Sequence, residues 1–417
     1  MSLTVRSDRL LIRATDTSSR FVRIDVTAPP APTDHRRPAA SLAFVIDRSG
    51  SMHGAKIELA RQAVREAIAR LSAADRFAVV AYDDRIDVLV PSTAATPDAR
   101  GAAIAAIDRL DARGNTNLGE GWLRGCAQVA DNLAVEGVNR VLLLTDGLAN
   151  QGMTSSEELA GHAAELRRRG VATTTFGVGE DFDEALLRAM ADAGGGHFRF
   201  IADARQIVDH ISGEVGELLE VTARDAVVEV TGPEGIHVDT LSPYPLEAHG
   251  ERTVLRLGDL VSDQAVEIVL RLRFPYGQVG REIGALVSIR SADGAVDAGQ
   301  TLRWTYADDR ANDHQPRDRE VDRVVARAFA DRAKTDAIRL NRIGEFAQAR
   351  RALLAVAARV HAYAGNDHEL REIVADLRGE AERWAVLQDE RSRKVAYSAT
   401  YNSLKSRNLD GQALRRQ

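Results

Sequence analysis

The stretch FVIDRSGSMHG, residues 44–54, runs an apolar segment straight into Asp47, Ser49 and Ser51, oxygen-bearing side chains at every second position. Two distant segments carry matching chemistry. Asp146 ends the apolar run LLLTDG, and Thr116 lies in the Gly- and Asn-rich loop DARGNTNLGEG, 111–121. Asp47, Ser49, Ser51, Thr116 and Asp146 are all oxygen donors. Such a set, without imidazole or thiolate, suits magnesium, manganese or calcium rather than zinc or copper. Hydroxyls bring no formal charge, so a divalent ion held mainly by them stays electrophilic and favours an outside carboxylate.

Three other chemistries compete for these residues. Asp47 and Ser51 have the right types to cap the helix beginning near Ala55, but capping does not account for Thr116 and Asp146. A magnesium-dependent phosphohydrolase using Asp47 usually needs a second carboxylate two residues on, where this chain has Ser49. Lys56 is its one candidate for holding phosphate. A serine hydrolase needs G-x-S-x-G, which GSMHG does not provide.

The elements that must position the set are legible from 39 to 221. The strands LAFVI, RFAVVAY, RIDVLV, NRVLLLT, VATTTFGVG and HFRFI alternate with amphipathic helices. The first helix carries Ile57, Ala60, Val64, Ala67, Ile68 and Leu71 on one stripe. Strands apolar on both faces and separated by helices predict a doubly wound, mostly parallel six-stranded sheet. Only Asp83 and Asp84 join the second and third strands, so one strand is antiparallel, at the edge. That Asp pair is read as a solvated turn. In such a sheet, Asp47 and Asp146 end neighbouring strands and face the crevice where the winding reverses.

Residues 222–308 change to period 2, as in QAVEIVLRLRF, and predict an antiparallel β-sandwich. Residues 1–38 read as strands that complete it, followed by the proline linker PPAPTDHRRP. Residues 317–390 read as an α-helical hairpin or bundle. Part of it resembles a tetratricopeptide unit through Gly344, Phe346, Ala349 and Leu353, without a second copy. Residues 391–417, with seven Arg and Lys against one Asp, read as a basic tail that is flexible or a docking segment, with the solvated terminus favoured.

Composition narrows the function classes. Net charge is −6 and gives no electrostatic reason for nucleic-acid binding. A single cysteine, Cys126, excludes a disulfide framework and a cysteine metal site. The longest apolar run, Ala352–Ala358, is too short to span a bilayer. With the charged N-terminus this predicts a cytoplasmic protein. His197 after three glycines is read as turn-supported, and Asn150 as structural.

The order DRSGS, then GNTNL, then TDG resembles the metal ion-dependent adhesion site of von Willebrand factor type A domains, and the strand–helix order over about 40–220 is similar to that fold. The resemblance implies a Rossmann-like sheet. It also implies direct coordination of a magnesium, calcium or manganese ion by Ser49, Ser51 and Thr116, with Asp47 and Asp146 often acting through water. A glutamate or aspartate of a partner protein would complete the octahedron. Gly114-Asn115 stands where relatives often have two glycines. The layout resembles bacterial cytoplasmic members of the superfamily, and the expected role is a non-enzymatic adaptor or scaffold, with a AAA+ ATPase system as one partner class. In relatives the last helix of the domain, here 204–220, can shift when ligand engages the metal.

Overall fold

The computed structural model describes residues 2–31, 37–233 and 235–416; residues 32–36 of the expected linker lie outside the described residues. The chain divides into two compact units, 31–224 and a second made of 1–30 with 225–417. It opens with strands β1 (Ser2–Ser7), β2 (Leu11–Arg13) and β3 (Ser18–Thr27), which belong to the second unit.

The 31–224 unit follows in the order β4 (Ala40–Asp47), α1 (Ala55–Ala69), β5 (Arg76–Tyr82), β6 (Ile86–Ala94), α2 (Pro97–Ile107) and α3 (Leu118–Ala130). It continues through β7 (Val138–Thr145), α4 (Ser156–Arg168), β8 (Ala172–Val178), α5 (Glu184–Ala193), β9 (Gly195–Ile201) and α6 (Ile207–Leu218). The sheet order is β6-β5-β4-β7-β8-β9. Every neighbouring pair is parallel except β5 with β6, which form the edge hairpin the short Asp83-Asp84 connection predicts. All eight residues of β4 are buried, which is why this central strand reads as apolar on both faces.

The winding leaves β4 for β5 on one side and returns to β7 on the other, placing a switch point above the C-terminal ends of β4 and β7. Helix α3 comes unusually close to the sheet there. A Cβ at Gly121 would stand 2.5 Å from the Tyr82 ring, and one at Gly125 would stand 2.2 Å from Val45 Cγ2. Only glycine permits this approach, so a methyl at either position would push α3 away and displace the loop that carries Thr116.

The other unit resumes within β10 (Val221–Thr231) and continues through β11 (His237–Thr240), β12 (Leu246–His249), β13 (Arg252–Val261), β14 (Ala265–Phe274), β15 (Glu282–Arg290) and β16 (Asp297–Ala307). One sheet has the order β1-β3-β14-β11 and the other β12-β13-β10-β15-β16-β2. In β3, Val22, Ile24 and Val26 are buried while the alternating residues Phe21, Arg23 and Asp25 are partly exposed, so period 2 puts one face in the core. Between the sheets, the Phe274 and Trp304 rings lie 4.9 Å apart and the Trp304 indole N–H donates to Ser7 Oγ at 3.0 Å.

Helices α7 (Asp309–His314), α8 (Arg319–Arg342), α9 (Phe346–Ala364), α10 (His368–Trp384) and α11 (Glu390–Leu404) complete the chain. Ala337, Leu353, Ala357, Leu370, Leu377 and Trp384 form the core of α8, α9 and α10. The expectation of a flexible tail over 391–417 is corrected here. Most of α11 lies within it, and its last residues are tied to the sheet by Ala265 N–H donating to the Leu414 carbonyl at 2.8 Å. The buried face of α11 uses Lys394, Ser398, Tyr401, Asn402 and Leu404. An apolar stripe built from long stems and hydroxyls does not register as hydrophobic periodicity. Among the described residues no helix is long and apolar enough to cross a membrane.

Candidate metal-binding site

Asp47 closes β4 and is fully buried. Its Oδ1 accepts the Ser49 N–H at 2.8 Å and its Oδ2 accepts the Thr145 hydroxyl at 2.6 Å. The first contact folds the chain into a turn directly after the strand, and the second links the ends of β4 and β7. Ser49 and Ser51 then project from that turn with their hydroxyls 3.1 Å apart. Ser51 Oγ donates to Asp146 Oδ1 at 2.6 Å.

Thr116 is 4% exposed. Its backbone is pinned by Asn150, whose Oδ1 accepts the Thr116 N–H at 3.2 Å and whose N–H donates to the Thr116 carbonyl at 3.4 Å. A Cβ built on Gly147 would lie 3.5 Å from Thr116 Oγ1 and 3.6 Å from Ser51 Oγ. The two hydroxyls therefore border one small space beside Asp146. The capping alternative fails on geometry. Gly54 is the N-cap of α1 and no side chain caps it, while both Asp47 oxygens are engaged elsewhere.

The fit to a divalent cation follows from these contacts. Hydroxyl and carboxylate oxygens from three segments face one another across a gap bordered by a glycine, with no nitrogen or sulfur donor among them, which matches a hard cation. Lys56 is the exception in charge. Its ammonium is ion-paired with Asp146 Oδ2 and donates to the Ser51 carbonyl at 3.3 Å. The lysine that a phosphohydrolase would assign to phosphate is thus placed on Asp146.

Burial pushes the Asp47 carboxyl up to about 6, against the hydrogen bonds from Thr145 and Ser49 and with help from the nearby Asp146 charge. Because its folded value lies above its unfolded one, this group stabilises the cation-free fold below pH 4 and loses that contribution as pH rises through about 6. Cation binding needs the ionised form. Mg2+ is therefore expected to raise the melting temperature more at pH 7.5 than at pH 5. Equal increments in thermal melts at the two pH values would count against a role for Asp47.

Sequence reasoning missed three positions. Thr145 is invisible because a threonine ending a strand is ordinary β composition. Lys56 is noticed but given another partner. Asp83, read as part of a solvated turn, is fully buried and ion-paired with Arg48 and Arg113; its neighbour Asp84 is exposed. His197 has more than turn support, since its Nδ1 lies 3.1 Å from Glu214 Oε1 in a buried charge cluster.

Residues 41–213 match the family model of the von Willebrand factor type A domain. The Escherichia coli protein YfbK is 30% identical over 212 residues, half of this chain and 36% of that protein, so this chain spans about a third of that relative. The Synechocystis protein sll0103 is 30% identical over 307 residues, 71% of each chain. Among solved structures, a von Willebrand factor type A protein from Catenulispora acidiphila superposes with a TM-score of 0.71 at 19% identity. The match covers 92% of this chain and 95% of that one, and shows that the two share a fold.

Proposed function

This chain belongs to the von Willebrand factor type A domain proteins, commonly metal-dependent protein-interaction modules and generally not enzymes, and from that premise we propose that it captures an acidic side chain of a partner protein at a divalent cation, acting as an adaptor or scaffold. The observation that carries the reading is the convergence of Ser49, Ser51, Thr116 and Asp146 around the space beside Gly147, with Asp47 buried behind them.

In this reading Ser49, Ser51 and Thr116 offer neutral oxygens, while Asp47 and Asp146 offer charge from the buried side. A magnesium ion bound there, or calcium or manganese, would supply an electrophilic position for an outside Glu or Asp. The protein's own part is orientation. Asp47 holds the Ser49 turn, Thr145 ties that turn to β7, and Asn150 holds Thr116 in register with both. Asp47 is a poor candidate for a phosphohydrolase nucleophile, since it is buried with both oxygens already accepting hydrogen bonds. A AAA+ ATPase system is one partner class within the proposal.

The test pairs calorimetry with affinity purification. The wild-type chain is expected to bind Mg2+ or Mn2+ and to retain a partner in Mg2+ but not in EDTA, with Thr116→Ala losing both. A Thr116→Ala protein that binds no cation yet retains the same partner would reject the proposal.

A further inference from the structure

We propose that Asp83, outside the five candidate ligands, is the positioning residue that holds the Ser49–Ser51 turn and the Thr116 loop at the spacing a cation requires; the inference rests on the cation reading of the site. Asp83 sits at the tip of the β5–β6 hairpin, and its carboxylate reaches both segments. One oxygen accepts Arg113 Nε at 2.8 Å and lies 2.9 Å from Arg48 Nε, while the other accepts the Arg85 N–H at 2.6 Å. Its carbonyl accepts the Asn117 N–H at 3.0 Å.

Arg48 immediately precedes Ser49, and Asn117 immediately follows Thr116. One buried residue thus grips the chain next to a candidate ligand on each side. Two backbone bonds join the same segments directly, from Arg113 N–H to the Arg48 carbonyl at 2.6 Å and from Gly50 N–H to the Gly114 carbonyl at 3.1 Å. Asp87 adds a second carboxylate to both guanidiniums, ion-paired with Arg48 and 3.3 Å from Arg113. Arg48 is the variable residue inside D-x-S-x-S, and its side chain is only 6% exposed. A charge buried at that depth is held by its partners. Removing the Asp83 charge loosens the two loops against each other while leaving the identity of every candidate ligand unchanged.

The experiment measures Mn2+ affinity by calorimetry on the full chain for the wild type, Asp83→Asn, Arg48→Gln, Thr116→Ala and Val171→Ala. Val171 is buried next to the start of β8, at the opposite end of the sheet from the site, and controls for a general loss of stability. Loss of such an outer partner is expected to weaken Mn2+ binding about tenfold or more. Arg48→Gln should do the same, since it removes the Asp83 contact on the Ser49 side together with the Asp87 ion pair. Val171→Ala should bind as the wild type does even where its melting temperature falls further. Should Asp83→Asn not fold, Arg48→Gln carries the test alone. Affinity within twofold of the wild type in Asp83→Asn and Arg48→Gln, with Thr116→Ala impaired, overturns this inference and leaves the cation reading standing. A wild-type chain that binds no Mn2+ overturns both.

Discussion

Glu214→Ala is expected to destabilise the 31–224 unit by about 3–5 kcal/mol, the usual cost of removing one partner from a buried charge cluster. Glu214 lies on α6 and is fully buried. It accepts from Arg199 Nη2 at 2.6 Å, Thr174 Oγ1 at 2.9 Å, His197 Nδ1 at 3.1 Å and Arg140 Nη1 at 3.4 Å. Those donors stand on β7, β8 and β9, so one carboxylate pins α6 across three strands. Without it, Arg140 and Arg199 remain almost completely buried, with Glu217 3.4 Å from Arg199 as a weaker substitute.

The same cluster fixes a pH dependence. Burial acts to raise the Glu214 carboxyl, but the charges of His197, Arg199 and Arg140 outweigh it and hold the group well below the usual glutamate range. A depressed folded value stabilises the fold above the unfolded pKa of roughly 4.3 and is lost as pH falls below it. Urea unfolding should therefore show the Glu214→Ala deficit in full at pH 7 and a smaller one near pH 3. A deficit under about 1 kcal/mol at pH 7 would mean the cluster is no better than a surface ion pair. His197, Glu214 and Glu217 offer ligand atoms within 4.8 Å of one another, yet two guanidiniums already supply the positive charge that a cation would bring. Any shift of α6 against the sheet has to break these contacts.

What the sequence reveals depends on whether the physics is local. β4 is legible because burial on both faces makes every residue from Leu42 to Ile46 apolar, and Asp47 is conspicuous against that run. Ser49 and Ser51 follow within one turn, so the closeness of their hydroxyls shows in the spacing. Thr116 and Asp146 become part of the site only through the winding of a doubly wound sheet, which the strand–helix alternation supplies. Asp83 is hidden because an Asp-Asp-Arg hairpin tip has the composition of a solvated turn, and its burial comes from Arg48 and Arg113, 35 and 30 positions away. Glu214 is hidden for the same reason. Helix α11 is hidden because Lys394 and Asn402 occupy buried positions where periodicity looks for leucine.

Asp146→Asn and Lys56→Met are expected to move cation affinity in opposite directions, which separates the site's charge from its geometry. Asp146 anchors the Ser51 hydroxyl through one oxygen and carries the Lys56 ammonium on the other. Asparagine keeps the size but removes one of the two formal negative charges in the candidate set and weakens the anchor on Ser51. The expected loss in Mg2+ affinity is about 10–100-fold, the range for groups that orient and tune a metal site from just outside it. Lys56 works against a second cation. Its side chain is 28% exposed, so solvent screens the repulsion to about 1 kcal/mol, or roughly fivefold in affinity. Lys56→Met should then bind Mg2+ more tightly than the wild type, and calorimetry at 0.15 M salt reads both variants directly. If Lys56→Met instead weakens binding alongside Asp146→Asn, the ammonium is holding Asp146 in place for the cation rather than competing with it. The double variant decides which: competition predicts a partial recovery over Asp146→Asn, and support predicts none, because a lysine that acts only by orienting Asp146 has nothing left to orient.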